Sequence, residues 1–321
     1  MLVVSPIMSA MADNGMEGQL NKLVLARSTI DRASEFRGDA EKLDELWFQA
    51  RILIMVNDRF NANDTNLIFR TSNEIPSGEG ERYFLGLDGN DRQSYFSWHT
   101  NEDVIKEEEL RTLRQVGVML SDFEAGLAVH AVALGNWHSA HPRCSKCGAR
   151  TRVDLGGAVR ICVVDASQHH PRTDPAVIVL VKDEDDRILL GHQAAWPPAR
   201  FSNLAGFVEP GESFEQCVVR EVAEESAVVV HSIRYLGSQP WPFPASIMVA
   251  FEATTSDVST ARPDGEEITE LRWFSRGEIK AAIQAGEIQL PPSISVARRM
   301  IEFWYGADAH EDLVAVSPWH E

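Results

Sequence analysis

The sequence predicts an α/β protein in three parts: an N-terminal α+β domain, a zinc-ribbon-like connector, and a C-terminal α/β/α sandwich on a mixed sheet. Three observations carry this reading. Apolar runs alternate with turn signals from about residue 20 to 135, a cysteine- and glycine-rich stretch follows from about 138 to 174, and beyond it strand patterns alternate with helical ones. At 321 residues the chain exceeds one typical domain. The expected divisions are 1–19 as a disordered extension, 20–137 as the N-terminal domain, 138–174 as the connector, 175–310 as the sandwich and 311–321 as a tail.

In the first part, residues 50–56 and 66–69 read as strands, and 83–87 reads as a strand entering an Asp88-Gly89 turn. Residues 120–134 have helical spacing. No chemistry-bearing motif falls here, so packing or dimerisation is the expected role. In the connector, Cys144-Ser-Lys-Cys147-Gly followed by Cys162 has the knuckle spacing of a zinc ribbon. A second Cys-x-x-Cys would place its last thiolate at Asp165, an acceptable zinc ligand with which His169 and His170 compete. Cys217 reads instead as a small core residue.

In the third part, 176–181 has the pattern of a buried strand, 183–186 is a turn and 187–190 the return strand. Strands at 247–252 and 270–274 and a final helix over 294–305 complete it. Between them, Ser213 and Gln216 form a capping box just after Pro210-Gly211, so a helix can start there, with Phe214, Cys217, Val218 and Val222 as its apolar face. Glu221, Glu224 and Glu225, at i, i+3 and i+4, project from one side of that helix. Like charges at this spacing destabilise a bare helix, and a hard divalent cation such as Mg2+ or Mn2+ would neutralise them. By themselves the three glutamates fit a solvated acidic face better than a metal site.

Composition limits the function classes. No run of about 18 apolar residues occurs, so no membrane span is expected. The first residues lack the basic region and long apolar core of a secretory signal, which gives the expectation of a cytoplasmic protein. A net charge of −18, from 48 acids against 30 bases, opposes broad adhesion to nucleic-acid backbones but leaves room for one local basic pocket. Four cysteines in such a chain point to metal binding or free thiols before disulfides.

Gly206, five residues, Glu212, seven residues, Arg220-Glu221, Val222, one residue and Glu224-Glu225 together resemble the box of the Nudix hydrolases. The resemblance implies that Glu221, Glu224 and Glu225 are metal ligands, with one of the last two also serving as base, and that Glu212 and Arg220 form a bracing ion pair. Where the family usually has glycine, at the helix exit, this chain has Ala227. Downstream, Ser238-Gln-Pro-Trp-Pro-Phe-Pro-Ala-Ser246 is similar to the SQPWPFPxS string of the NADH pyrophosphatase family within the Nudix hydrolases. The likeness spans about residues 140–305. It implies that Phe207, Gln239, Ser246, Met248 and Ala297 line a nucleotide pocket and that Glu267 joins the metal site. His170 stands where members often carry tyrosine, which would weaken stacking on the base. The implied reaction is Mg2+- or Mn2+-dependent hydrolysis of NADH or NAD+ to AMP and nicotinamide mononucleotide. Removal of NAD caps from RNA 5′ ends, a structural Zn2+ and a homodimer are implied as well. Two alternatives stand beside it, a pyrophosphatase for ADP-ribose or nucleotide sugars and a catalytically silent dinucleotide-binding regulator. The string argues against the first and the intact glutamates against the second.

Overall fold

A computed structural model describes residue 20 and residues 23–314. The expected N-terminal extension and the end of the expected tail lie outside the described residues. The chain divides into two compact units. One holds residues 25–173 together with Trp241–Ala245; the other holds, of the described residues, Leu20, Leu23, Val24, residues 174–240 and residues 246–314.

The first unit contains α1 (Ala40–Phe48), β1 (Arg51–Val56), β2 (Arg59–Asn61), β3 (Phe69–Arg70), β4 (Glu81–Leu87), β5 (Ser94–Thr100), β6 (Leu110–Arg111), α2 (Leu113–Val116) and α3 (Asp122–Ala140). Its sheet has the order β4-β5-β1-β2-β6, with β3 pairing β1. Ile52, Ile54, Phe84 and Phe96 form the centre of its core. Ser121 and Glu124 cap α3 reciprocally, and the helix runs to Ala140, past the expected connector boundary. The strand expected at 66–69 is a correction: Leu67 makes an isolated bridge to Ala62, and only Phe69–Arg70 is strand. Asn63 causes this, because its side-chain oxygen accepts from the amides of Thr65 and Asn66 and turns the chain there. The connector adds a three-stranded sheet, β7 (Thr151–Asp154), β8 (Val159–Cys162) and β9 (Gln168–His169).

The second unit contains β10 (Asp174–Lys182), β11 (Ile188–Gln193), β12 (Leu204–Phe207), α4 (Phe214–Ser226), β13 (His231–Trp241), β14 (Ser246–Thr254), β15 (Ile268–Phe274), α5 (Arg276–Gln284), α6 (Val296–Tyr305) and α7 (Ala309–Asp312). The sheet order is β13-β14-β10-β11-β15, with β12 also pairing β10. β10 runs parallel to β14 and antiparallel to β11 and β12, so the sheet is mixed. Strand side chains alternate between faces, and β10 shows it directly. Ile178 and Leu180 pack with Ile279, Met300, Ile301 and Trp304 of α5 and α6, whereas Val177, Val179 and Val181 pack with Cys217, Val218 and Val222 of α4. This is the expected α/β/α sandwich. Among the described residues no helix is long and apolar enough to cross a membrane.

Three expectations need correction here. Phe214 is 41% exposed rather than core, because as the first helical residue it lies beyond the sheet face and only approaches Phe251. Leu20 and Leu23, expected in the N-terminal domain, belong to the second unit, where Leu20 N donates to Leu236 O and Leu23 enters the core. The expected tail starts too early, since Leu313 is fully buried and its carbonyl accepts from Arg298 Nη2.

Ala227 ends α4 in the left-handed region, at φ 57° and ψ 12°. A side chain there costs about 1 kcal/mol because Cβ crowds the following carbonyl. Ala227→Gly is therefore expected to raise the stability of the second unit by about that amount in urea unfolding. A midpoint equal to or below wild type would contradict the helix exit described here.

Candidate active site and metal centre

The glutamate cluster is assembled by packing α4 on β12. Val218 and Val222 are fully buried beneath the helix, and burying each contributes roughly 1.5–3 kcal/mol. Ser213 Oγ accepts from Gln216 N at 3.2 Å while Ser213 N donates to Gln216 Oε1 at 2.9 Å, as the capping box predicts. The turn before it closes through Glu212 N to Glu209 O, with Gly211 at φ 92°.

Arg220 is the hub of the acidic face. Its Nε and Nη2 bond both oxygens of Glu212 at 2.8 Å, the expected ion pair, in a two-pronged geometry. Nη1 also reaches Glu221 Oε1 at 2.8 Å and Glu224 Oε2 at 2.9 Å, and Nη2 donates to Phe207 O at 3.0 Å. These hydrogen bonds, followed by that of the Glu209 amide, hold the Glu212 carboxyl down to about 2. Burial pushes the Glu221 carboxyl upward against the opposing pull of Arg220. Gly206 leaves room beside it: a Cβ there would lie 1.9 Å from Glu221 Cδ and displace the carboxylate.

Glu225 differs from its neighbours. It is 3% exposed, and neither carboxylate oxygen makes a well-formed hydrogen bond; the Ala205 amide is the nearest backbone donor. Burial first, then the charges of Glu221, Glu267 and Asp264, push its pKa up to about 8. Glu267 is exposed and precedes β15. Its loop is held by Asp264 Oδ1, which accepts from the amides of Glu266, Glu267 and Ile268 at 2.9–3.1 Å. Asp264 was not among the site residues predicted from sequence; the Asp264-Gly265 turn dipeptide was the available clue. A buried carboxylate lacking a partner, beside two more that share a single arginine, suits a divalent cation with oxygen ligands.

The expected nucleotide-pocket residues of the second unit gather on the opposite sheet face. Phe207 and Met248 both pair with Ala176, from the two sides of β10, and Ser246 pairs with Asp174 two residues away. Residues so paired share a face, which here is the one covered by α6. Ala297, on α6, is buried in that core, Met248 packs against it, and Phe207 is 60% exposed at the strand end. Gln239 departs from the expectation of a presented hydrogen-bonding group. It is fully buried and its Nε2 donates to Ile294 O at 3.0 Å, tying β13 to the segment that leads into α6. His170 is exposed, just after β9 in the first unit.

The connector brings Cys144, Cys147, Cys162 and Asp165 together with one ligand atom from each within 4.8 Å of all the others. A tetrahedral Zn2+ with 2.3 Å bonds to sulfur would set its ligands about 3.8 Å apart, so the donors suit that ion. The two halves repeat one hydrogen-bond pattern. Lys146 N donates to Cys144 Sγ and Val164 N to Cys162 Sγ, each the first sulfur of its own knuckle, at 3.4 Å. Gly148 N to Cys144 O matches Ala166 N to Cys162 O, and Gly148 and Ala166 both have left-handed φ. Asp165 thereby occupies the position equivalent to Cys147. Ser167 bonds Asp165 Oδ1 at 2.6 Å and His169 Nε2 at 3.2 Å, which leaves His169 one step behind the donors. Cys217 is buried in the core, away from this group, as expected.

Residues 172–293 match the family model described as the NUDIX domain. The chain is 39% identical over 307 residues to the NAD-capped RNA hydrolase NudC of Mycobacterium bovis, covering 91% of this chain and 97% of that one. It is 38% identical over the same length to NudC of Mycobacterium tuberculosis. To the human NAD-capped RNA hydrolase NUDT12 it is 38% identical over 200 residues, 58% of this chain and 43% of that protein.

Protonation of Glu225 makes stability depend on pH. With a folded pKa of about 8 against an ordinary value of 4.5, the folded chain retains a proton that the unfolded chain releases. In chelator, stability is therefore highest below the ordinary value and falls as pH rises toward and through 8. Melting in chelator is expected at a lower temperature at alkaline pH than in mild acid, and Glu225→Gln is expected to flatten that slope. An unchanged slope in the variant would remove Glu225 as its source.

Proposed function

The chain belongs to the NADH pyrophosphatase family of the Nudix hydrolases, the NAD-cap-removing type, and from that membership we propose that it hydrolyses the diphosphate of NADH and NAD+ to AMP and nicotinamide mononucleotide and removes NAD caps from RNA 5′ ends. The observation that carries this reading is the buried, uncompensated Glu225 carboxylate beside Glu221, on a sheet whose other face bears Phe207, Ser246 and Met248. Glu221, Glu224, Glu225 and Glu267 would hold Mg2+ or Mn2+, which when bound neutralises phosphate oxygens and lowers the pKa of water.

The remaining work falls to the protein's own side chains. Arg220 occupies Glu221 and Glu224 by hydrogen bonds, so Glu225 has the greatest spare acceptor capacity. We assign Glu225 the orientation and deprotonation of the attacking water. Phe207 offers an exposed ring for a nucleotide base, with Ser246, Met248 and Ala297 on the same face and His170 as a further candidate contact. Gln239 braces that face through Ile294 O. Capped RNA would be gripped mainly at the cap, given the net charge of −18. Zn2+ in the connector would be structural, held by Cys144, Cys147, Cys162 and Asp165. Homodimeric assembly and a cytoplasmic setting belong to the same proposal.

Turnover of NADH, NAD+, ADP-ribose and NAD-capped RNA under one metal condition tests the assignment. NADH or NAD-capped RNA is expected to lead, chelator to abolish turnover, and Glu225→Gln to lower kcat by about 100-fold or more. Preference for ADP-ribose would overturn the substrate class, and a fully active Gln variant would overturn the site. Elemental analysis is expected to find about one Zn2+ per chain in wild type and less in Asp165→Ala. Unchanged zinc in the variant would remove Asp165 from the ligand set.

A further inference from the structure

The aromatic tip of the string, Trp241–Ala245, forms part of the first compact unit, although Gln239 before it and Ser246 after it belong to the second. Two side chains of the first unit grip this tip. The Arg114 guanidinium on α2 lies 4.1 Å from the ring centroid of Phe243 and 5.1 Å from that of Trp241. The two rings meet edge to face at 4.9 Å and 74°, so one cation covers both. Asn136 on α3 donates from Nδ2 to the carbonyls of Pro242 at 2.8 Å and Pro244 at 3.2 Å. Pro242 and Pro244 lack amide donors, so the four-residue turn between Trp241 and Ser246 holds one backbone bond of its own, Phe243 N to Trp241 O at 2.7 Å. Asn136 supplies further bonds from outside the turn.

We propose that Arg114 and Asn136 are positioning residues for the substrate: by clamping the tip they steady the turn from which β14 departs, the strand whose pairing with β10 carries Ser246 and Met248 beside Phe207. The proposal rests on the dinucleotide reading above. It assigns the rings of Trp241 and Phe243 to anchorage under Arg114. Arg114 belongs to the first compact unit and the glutamates of α4 to the second, so the chemical step itself should be little affected by its loss.

Steady-state kinetics on full-length Arg114→Ala, Arg114→Lys and Asn136→Ala, with NADH as substrate, test this. KM is expected to rise about tenfold in Arg114→Ala and Asn136→Ala while kcat changes less than about threefold. Arg114→Lys, which keeps the cation over the rings, is expected to recover part of the loss. The pH profile of kcat is expected to stay that of wild type. Wild-type KM in both alanine variants would overturn the clamp, as would parallel losses of kcat and melting temperature, which mark a purely structural role. Failure of the dinucleotide reading is separate and visible beforehand, as a wild-type protein that does not turn over NADH.

Discussion

The crowding of carboxylates on one helix face is the constraint around which the C-terminal unit is organised. Two like charges about 4 Å apart near a protein surface repel by about 4 kcal/mol, more than one buried valine returns. Glu212, Glu221 and Glu224 are held together because Arg220 bonds all three, and Gly206 leaves the space that Glu221 fills. Glu225 makes no hydrogen bond to that guanidinium and resolves the conflict by retaining its proton, which leaves a site that is acid-stabilised until a cation arrives. The packing of Val218 and Val222 on β10, the β12 pairing and the Asp264 turn all serve to keep these groups near one another.

Most of the fold was legible wherever one periodicity dominated. β10, α4 and α6 each carry an unbroken apolar pattern, and the Ser213 cap appears as expected from four residues of sequence. Less legible elements break their own pattern. β13 contains Gly237 and Pro240, which argue against a strand, yet it lies at the sheet edge, where a missing amide is tolerated. The 66–69 segment shows the reverse error: its apolar residues suggest a strand, but the Asn63 side chain turns the chain back first. Leu313 was missed because a lone leucine after a glycine-interrupted helix has no period at all.

Within the site, residue types were legible and orientations were not. Spacing placed the glutamates on one face, but only packing distinguishes buried Glu225 from Glu224, which is 60% exposed and paired. Arg220 read as the partner of a single glutamate, whereas its fork also reaches two more and a backbone carbonyl. The connector shows the opposite balance. Its second knuckle lacks both the cysteine and the glycine of the first, yet the backbone repeats the same hydrogen bonds, so Asp165 inherits its place from chain geometry rather than from side-chain type.

The proline-aromatic string extends this distinction between what a residue is and what it can reach. Rigid loops are usually assumed to present their side chains outward, and in the sequence Gln239 reads as such a presented group. It is instead buried with Nε2 bonded to Ile294 O, and the rings of Trp241 and Phe243 lie beneath Arg114. The string's most distinctive residues thus act as fasteners, while plainer ones at its exit, Ser246 and Met248, lie on the same sheet face as Phe207. With Pro242 and Pro244 lacking amides, the turn keeps one backbone bond within itself, and Asn136 bonds its proline carbonyls while Arg114 covers its rings. The fastening falls to α2 and α3, in a domain whose own sequence carries no chemistry-bearing motif.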